Sequence, residues 1–306
     1  TLTTAETRAN QESLNENIFS DNEFNFEIFS TNEPFDVNFE LLEETYWNAG
    51  QKLSDCIVDI RCNVLSKLND KRTVVVEFGQ AYWLDKRHGF TPNVTASHTF
   101  SGEIFQSAGI PLTEVSQVGC CKAYDTKVGT HHFITHINPE NSQLGKKLSQ
   151  MEFGTSTGRQ RMVGWFDAVE KGNALRYGGF EWLVINKLDA LSALDGEFKE
   201  LKICVAYKDS DGNRITTVPR SEKIRKSLIP IYEILPAWNE DISKCENFED
   251  LPEAAKDYVR VMVRSICEVA YGEELKRVVL PKLLFLGIGP NPGQIIQDLP
   301  SLSEII

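Results

Sequence analysis

The sequence lacks any apolar run approaching the roughly 18 residues that a membrane-spanning helix needs. Its N-terminus lacks the basic, apolar and small-residue segments of a secretory signal. It also lacks a C-x-x-C pair: Cys120 and Cys121 are adjacent, and no two cysteines are three positions apart. The number of cysteines is seven, which is odd. We therefore expect reduced thiols in a cytoplasmic protein that has no membrane partner, rather than a disulfide framework.

Basic residues are scarce at the start of the chain. Arg8 is the only basic residue among residues 1–50, against eleven acidic ones, while the rest carries 31 basic and 33 acidic residues. No basic patch of the size that nucleic-acid binding requires is present, so we expect no nucleic-acid partner. Residues 1–37 show no clear period and are interpreted as an acidic irregular segment; residues 38–306 are interpreted as an α/β domain.

The body of the chain alternates between two kinds of apolar pattern. Short β-branched or apolar runs are typical of buried strands, and apolar residues at spacings of three, four or seven indicate helices. Together they predict an α/β fold with a largely parallel central sheet flanked by helices, whose ligands gather at the carboxyl ends of the strands. The strand candidates are 73–77, 180–186, 202–207 and 283–287, and the helix candidates are 39–67, 165–176 and 252–271.

One segment is the strongest local signal for binding an acidic small molecule. Its two glycines let the backbone approach a ligand closely, and its guanidiniums match carboxylate or phosphate through a bidentate fork. The alternative is a flexible polar loop. The segment reads Gly154, Thr155, Ser156, Thr157, Gly158, Arg159, Gln160 and Arg161.

Three other segments follow apolar strand candidates. In residues 77–85 a strand candidate runs into a glycine turn and Gln80, whose amide both donates and accepts hydrogen bonds; an ordinary turn is the alternative. Asp189, in the segment 186–189, can accept two hydrogen bonds from guanine while the Lys187 stem lies over the base; capping of a following helix is the alternative. The glycines of 287–290 allow close backbone approach, although such a pair is more often a simple turn.

Histidine is confined to a short stretch of the chain, and three of the five histidines are close in sequence. His131, His132 and His136 resemble a metal cluster, but no cysteine or carboxylate stands at a suitable spacing. Zinc needs three or four convergent ligands, so we predict no metal site there and leave the role of these three residues open.

Seven motifs, in order, resemble those of the adenylosuccinate synthetase family. The family pattern includes E-G-x-Q-G-x-x-L-D, H-G-T-Y-P-x-V-T-S-S, K-A-Y-x-T-R-V-G, E-x-G-x-T-T-G-R-x-R-R-x-G-W-x-D and T-K-L-D. The resemblance covers roughly residues 38 to 300, and the segment before it only weakly. The matching text lies at 77–85, 88–97, 122–129, 152–167, 186–189, 230–238 and 287–290.

The resemblance implies a fold, a reaction and partners. The fold would be that of the family, related to the P-loop proteins. The reaction would be the GTP-dependent ligation of IMP and L-aspartate to adenylosuccinate in AMP biosynthesis, with magnesium and, typically, a cytoplasmic homodimer. The family's G-D-E-G-K-G loop and following G-H-N do not occur here. We therefore expect a C-terminal two-thirds that is inactive alone, with the catalytic residues and magnesium ligands elsewhere in a missing N-terminal part or in another chain.

The resemblance also implies roles for individual residues, and none of them is catalytic or metal-binding. For IMP the residues are Gln80, Thr95 and Arg159. For the loop that closes on aspartate they are Thr155, Ser156, Thr157, Gly158, Arg159, Gln160 and Arg161. For GTP they are Arg161, Lys187, Leu188, Asp189, Gly287, Ile288 and Gly289.

Several positions depart from the family pattern. The family's G-P-F-P-T-E becomes 131–136, the second arginine of the loop pair becomes Met162, and the serine of S-x-G-P becomes Gly287. These departures indicate a divergent member. Two alternatives stay open: a viral-type 2-aminoadenylosuccinate synthetase that acts on dGMP, and a non-catalytic nucleotide-binding relic.

Overall fold

The fold is that of a computed structural model, which describes residues 39–129, 131–154 and 158–305. The acidic segment 1–37 and the loop residues Thr155, Ser156 and Thr157 lie outside the described residues, so what was expected of them stays a prediction. The chain divides into two compact units, whose described parts are residues 39–63 and the residues that follow from Val64. The boundary expected at 37/38 likewise stays a prediction.

The described residues form eight α-helices and ten strands, with short 3₁₀ turns between them. The helices are α1 (Phe39–Lys52), α2 (Ile60–Asn69), α3 (Glu103–Ala108), α4 (Gln143–Met151), α5 (Ala168–Gly178), α6 (Glu222–Arg225), α7 (Glu253–Tyr271) and α8 (Leu302–Ile305). The strands are β1 (Val118–Lys122), β2 (Asp125–Lys127), β3 (Met162–Gly164), β4 (Phe166–Asp167), β5 (Trp182–Asn186), β6 (Glu200–Lys208), β7 (Arg214–Ile215), β8 (Ile229–Pro236), β9 (Lys282–Gly287) and β10 (Ile295–Ile296).

The helical stretch predicted for 39–67 is two helices rather than one. Asp59 explains the break, because its carboxylate accepts from the backbone N–H groups of Arg61 (2.9 Å) and Cys62 (3.4 Å) and so caps the start of α2. No residue of α1 or α2 is buried, and apolar side chains such as Leu42 and Tyr46 are exposed. The apolar periodicity therefore predicted helical structure in this stretch correctly, but it did not reveal the break between the two helices.

The run 73–77 was expected to be a buried strand, and that prediction is wrong. In the structure it is irregular, and Val74, Val75 and Val76 are all exposed. A strand exists only through the hydrogen bonds of a neighbour, and no described strand pairs with this run. High strand propensity alone does not supply that neighbour.

The main sheet has the strand order β1-β5-β9-β10. Its first three strands are parallel, and only β10 is antiparallel. The register pairs Lys122 with Asn186, so β1 and β5 end side by side. Three of the four strand candidates, 180–186, 202–207 and 283–287, coincide with β5, β6 and β9, and the predicted α/β class is confirmed. Functional loops are thereby collected at one edge of the sheet.

The other strands form a second sheet and a two-stranded sheet. In the second sheet β6 pairs in parallel with β4 and in antiparallel fashion with β7 and β8. The strands β2 and β3 pair with each other as an antiparallel ladder that runs from Asp125–Gly164 to Lys127–Met162. This ladder places the end of the segment that was expected to bind an acidic ligand beside the residues that follow β1.

Two helices, α5 and α7, pack closely against each other. They correspond to the helix candidates 165–176 and 252–271, which are confirmed. Twelve residues of α7 are buried, which is typical of a helix that is covered on most of its surface. The contact depends on Gly172 in α5, because a Cβ there would lie 2.5 Å from the side chain of Val269 and 2.8 Å from the carbonyl oxygen of Ile266. Among the described residues, no helix is long and apolar enough to cross a bilayer.

We predict that Gly172→Ala destabilises the protein by about 1–3 kcal/mol, because an added methyl overpacks the contact between α5 and α7. The midpoint of urea denaturation measures the change. Gly50→Ala in α1 is the matched control, since its Cβ would meet nothing within 4 Å and alanine favours a helix over glycine. A Gly172→Ala midpoint equal to that of the native protein would contradict the proposed packing.

Candidate functional site

A polar cluster lies where β1 and β5 end. Lys122 is the last residue of β1, and Lys187 follows β5 directly. Lys187 has a φ of 61°, in the left-handed region that a residue with a side chain rarely adopts. Such a backbone is kept where the surrounding structure imposes it, and it turns the chain out of the sheet at this point.

Glu152, which follows α4, is the centre of the cluster. The Lys122 Nζ lies 2.8 Å from both of its carboxylate oxygens, and the Lys187 Nζ lies 2.8 Å from Oε1. The hydroxyl of Tyr124 donates to Oε1 over 2.6 Å, and Nη1 of Arg161 donates to Oε2 over 3.2 Å. One carboxylate therefore accepts from three cations and one phenol.

The carboxylate stays ionised although it is buried. The Glu152 side chain is 2% exposed, and burial alone would raise its pKa. Hydrogen bonds from Lys122, Lys187 and Tyr124 outweigh burial and lower the pKa to about 2. With one negative charge against three positive ones, the cluster keeps an excess positive charge that favours an anionic ligand.

The segment that was expected to bind an acidic ligand starts and ends at this cluster. The Arg161 N–H donates to the Glu152 carbonyl over 3.0 Å, and the Gly154 N–H donates to the Arg159 carbonyl over 2.8 Å. Gly158 has a φ of 62° and donates to the Gly154 carbonyl over 2.8 Å. Arg159 is exposed. These bonds join residues on the two sides of 155–157, and both arginines follow that segment in the chain.

The segment that was expected to read guanine lies beside the cluster. Leu188 is buried and donates its N–H to the Gly287 carbonyl over 3.0 Å. Asp189 is half-buried and begins a 3₁₀ turn, and burial raises its pKa. A Cβ on Gly287 would lie 2.7 Å from Oδ1 of Asn186, so close approach requires glycine there. The two segments that were predicted to bind GTP are thus neighbours, and their role stays a prediction.

The turn after β9 is closed by its own hydrogen bonds. The Ile288 N–H donates to the Gln294 carbonyl over 2.9 Å. A Cβ on Gly289 would collide with the Gln294 side chain, which itself accepts from the Asn291 N–H over 3.0 Å. The glycine pair of this turn therefore permits a compact backbone beside Leu188.

A cavity of about 690 Å³ opens next to the cluster. Gln80 lines it and has a φ of 80°, so its side chain is presented from a sharp turn. Lys122, Arg161 and Asn186 line the same cavity. The cavity extends from Gln80, which was predicted to bind IMP, to Arg161, which ends the segment predicted to bind aspartate. A volume of this size is typical of a small-molecule site.

Thr95 and Arg159 are not among the residues that line this cavity in the described part of the chain. The Thr95 hydroxyl donates to the Leu84 carbonyl over 3.0 Å. Its loop is held by the buried carboxylate of Asp85, which accepts from three backbone N–H groups, those of residues 87, 88 and 99, at 2.7–2.8 Å. Gln80 thus lines the cavity, whereas Thr95 lies in a neighbouring loop, where its hydroxyl bonds to the backbone.

The histidines form no metal centre in the described residues, where no three His, Cys, Asp or Glu side chains come together to hold a metal ion. His131 is buried, and its Nε2 has no hydrogen-bond partner among the described residues. Burial, Lys127 and Arg225 lower its pKa to about 4, so it is neutral at physiological pH. His136 is exposed.

A second buried polar network borders the cavity, and the sequence patterns did not predict it. Asp167 accepts from the Tyr207 hydroxyl over 2.7 Å and caps α5 through the backbone N–H of Val169. Burial, together with nearby Glu170, raises the pKa of Asp167 to about 7. Lys171 forms an ion pair with Asp125, whose side chain also accepts from the Asp167 N–H.

The sequence patterns also missed what Glu152, Lys122 and Tyr124 do. All three stand inside motifs that resemble the family, but no role was assigned to them. Their positions at a helix end, a strand end and a turn gave no sign that they meet. The one available signal was that Glu152 opens the same motif that contains Arg159 and Arg161.

Comparison of the sequence with known proteins identifies the family. The family model for adenylosuccinate synthetase matches residues 4–271. The adenylosuccinate synthetase of Lactococcus lactis subsp. lactis (strain IL1403) is 39% identical over 227 residues, which are 73% of this chain and 51% of that protein. The one of Desulfitobacterium hafniense (strain DSM 10664 / DCB-2) is 37% identical over 265 residues, which are 86% of this chain and 57% of that protein.

Comparison with a solved structure shows that the fold is that of the same family. The fully ligated adenylosuccinate synthetase from Plasmodium falciparum superposes with a TM-score of 0.76 at 27% identity, over 96% of this chain and 62% of that chain. This chain spans about half the length of the curated relatives it matches. On the family model, the two relatives and the shared fold, the chain belongs to the adenylosuccinate synthetase family.

Proposed function

We propose that this chain provides the GTP- and aspartate-binding side of an adenylosuccinate synthetase, a ligase that forms a C–N bond. The observation that carries the proposal is the position of Glu152 with its three cations. The cluster connects Arg161, at the end of the loop segment, to the segment 187–189 at one edge of the sheet. Two anionic substrates and one guanine base match this set of groups.

The reaction that fits the site has two steps. GTP transfers its γ-phosphoryl group to the 6-oxygen of IMP, which loses its N1 proton to a base, and GDP is left. The aspartate amine then displaces that phosphate and loses a proton. Arg159 binds the aspartate carboxylates, Arg161 lies on the GTP side, and Asp189 accepts from the two guanine donors. The cavity beside Gln80 accommodates the nucleotide monophosphate. We also propose the cytoplasmic homodimer that the resemblance implies.

Magnesium belongs to the proposed reaction, where it would neutralise charge on the transferred phosphoryl group. The described residues offer no group of three His, Cys, Asp or Glu side chains that could hold a metal ion. No step is assigned to magnesium in this part of the chain, and we propose that its ligands lie outside this chain, as the resemblance implies.

The proposal is tested first by nucleotide binding. Calorimetry of the chain with GTP and ATP should show a preference for GTP, because adenine cannot offer Asp189 two donors. Equal affinities for GTP and ATP, or no affinity for GTP, would contradict the proposal. Assays with aspartate, GTP and magnesium, and with either IMP or dGMP, should show no turnover by this chain alone. In a chain completed with the family's N-terminal part, the same assays identify which purine is accepted.

We predict that Asp189→Asn lowers the affinity for GTP by roughly 5- to 150-fold, because an unpaired buried donor costs about 1–3 kcal/mol. The same change favours XTP, whose 2-oxygen can accept from the new amide. Calorimetric affinities for both nucleotides measure the ratio. An unchanged ratio would show that Asp189 only begins the 3₁₀ turn, where asparagine serves equally well. Asp195→Asn, in the neighbouring 3₁₀ turn, is the matched control.

We predict that Arg159→Leu weakens aspartate binding by about 30-fold, since losing one partner of a charge pair that is desolvated on binding costs about 2 kcal/mol. Aspartate titration in the presence of GTP and IMP provides the measurement, and steady-state kinetics of a chain completed with the family's N-terminal part provide a second one. Arg176→Leu is the control, because it removes an exposed arginine of α5. If both variants bind aspartate as the native protein does, Arg159 does not hold the carboxylates.

A further inference from the structure

Glu152 cannot itself contact a ligand to any extent, yet it holds groups that can. Its side chain is 2% exposed, whereas those of Lys187 and Arg161 are 41% and 33% exposed. These two cations belong to separate segments, one after β5 and the other at the loop exit. Their common partner is the carboxylate, so their relative position depends on it.

Lys122 differs from the other two cations because its donors are used inside the protein. Its Nζ donates to Thr126 Oγ1 over 3.1 Å and to both oxygens of Glu152 over 2.8 Å. Three protein oxygens therefore engage the Lys122 ammonium group. Lys187 and Arg161 each make one side-chain hydrogen bond to Glu152 and, among the described residues, to nothing else. They are the more exposed and the less engaged of the three cations, and an ammonium or guanidinium group has further donors for a ligand.

The charge of Glu152 acts on a ligand in two opposite ways. It holds Lys187 in place, which favours any ligand that packs against that side chain, including an uncharged base. It also subtracts one unit from the positive charge that attracts phosphate. Replacing the carboxylate with an amide of the same shape removes both effects together, and the two consequences have opposite signs for neutral and for anionic ligands.

We propose that Glu152 is a positioning residue, which holds Lys187 and Arg161 in register for base recognition and limits the attraction of the site for bare phosphate. The part that concerns guanine rests on the function proposed above, whereas the part that concerns phosphate does not. Glu152 thereby makes the site selective for a nucleotide over free inorganic anions. Since it acts through Lys187 and Arg161, its effect is visible in ligand discrimination.

The experiment compares Glu152→Gln with the native chain by calorimetry, using guanosine and inorganic pyrophosphate as probes. We expect pyrophosphate to bind about tenfold more tightly and guanosine about tenfold more weakly. Glu140→Gln, at an exposed glutamate, removes the same charge elsewhere and should change neither affinity. Thermal unfolding monitored by circular dichroism shows whether each variant is folded.

Glu152→Asp serves as a second variant, which is also informative if the glutamine variant does not fold. It keeps the charge but withdraws the carboxylate by one methylene, so pyrophosphate affinity should stay within about twofold while guanosine affinity falls. A guanosine affinity equal to that of the native chain in this variant would overturn the positioning role.

The remaining outcomes also decide the matter. If Glu152→Gln weakens both ligands, or changes neither, Glu152 only stabilises the fold and the inference is wrong. If the native chain does not bind guanosine, the guanine assignment fails on its own. The pyrophosphate comparison then decides the role of Glu152, and the absence of a gain in Glu152→Gln overturns it.

Discussion

The buried carboxylate of Glu152 is the constraint on which the arrangement of the site depends. Lys122, at the end of β1, needs a counter-charge where it is partly buried, because a desolvated ammonium group is costly. Burial does lower the pKa of Lys122, and the hydrogen bonds to Glu152 oppose that shift. The same carboxylate then fixes Lys187 and Arg161. A single side chain thus connects a strand end, a strand-to-turn junction and the exit of a loop.

The parallel sheet makes this connection possible. In parallel strands the carboxyl ends face the same way, so the residues after β1, β5 and β9 meet at one edge. The Gly287 carbonyl accepts from the N–H of Leu188, and this bond holds the turn after β9 beside the segment after β5. The helices α5 and α7 pack against each other through the space that Gly172 leaves open, and both also contact β6 of the second sheet.

Two buried carboxylates of this protein are adjusted in opposite directions. Three cations and a phenol keep Glu152 ionised, whereas Asp167, bonded to the Tyr207 hydroxyl and close to Glu170, has a pKa raised to about 7. Cations surround the first, and burial with a neighbouring acid dominates the second. The charge excess at the strand ends is therefore set by the positions of a few side chains and not by the net charge of the chain, which is −12.

The sequence by itself determined the fold class, the strands β5, β6 and β9, and the helices α5 and α7, because apolar periodicity is a local signal. Motif text also determined the family and named Arg161, Lys187 and Asp189 as parts of one site. Local pattern failed at 73–77, where a β-branched run has no hydrogen-bonding neighbour, and at 39–67, where Asp59 starts a new helix. Only the tertiary structure decided that Glu152, Lys122 and Tyr124 meet, since β1, a turn and the end of α4 become neighbours through strand register and helix packing, which depend on contacts between residues far apart in the sequence.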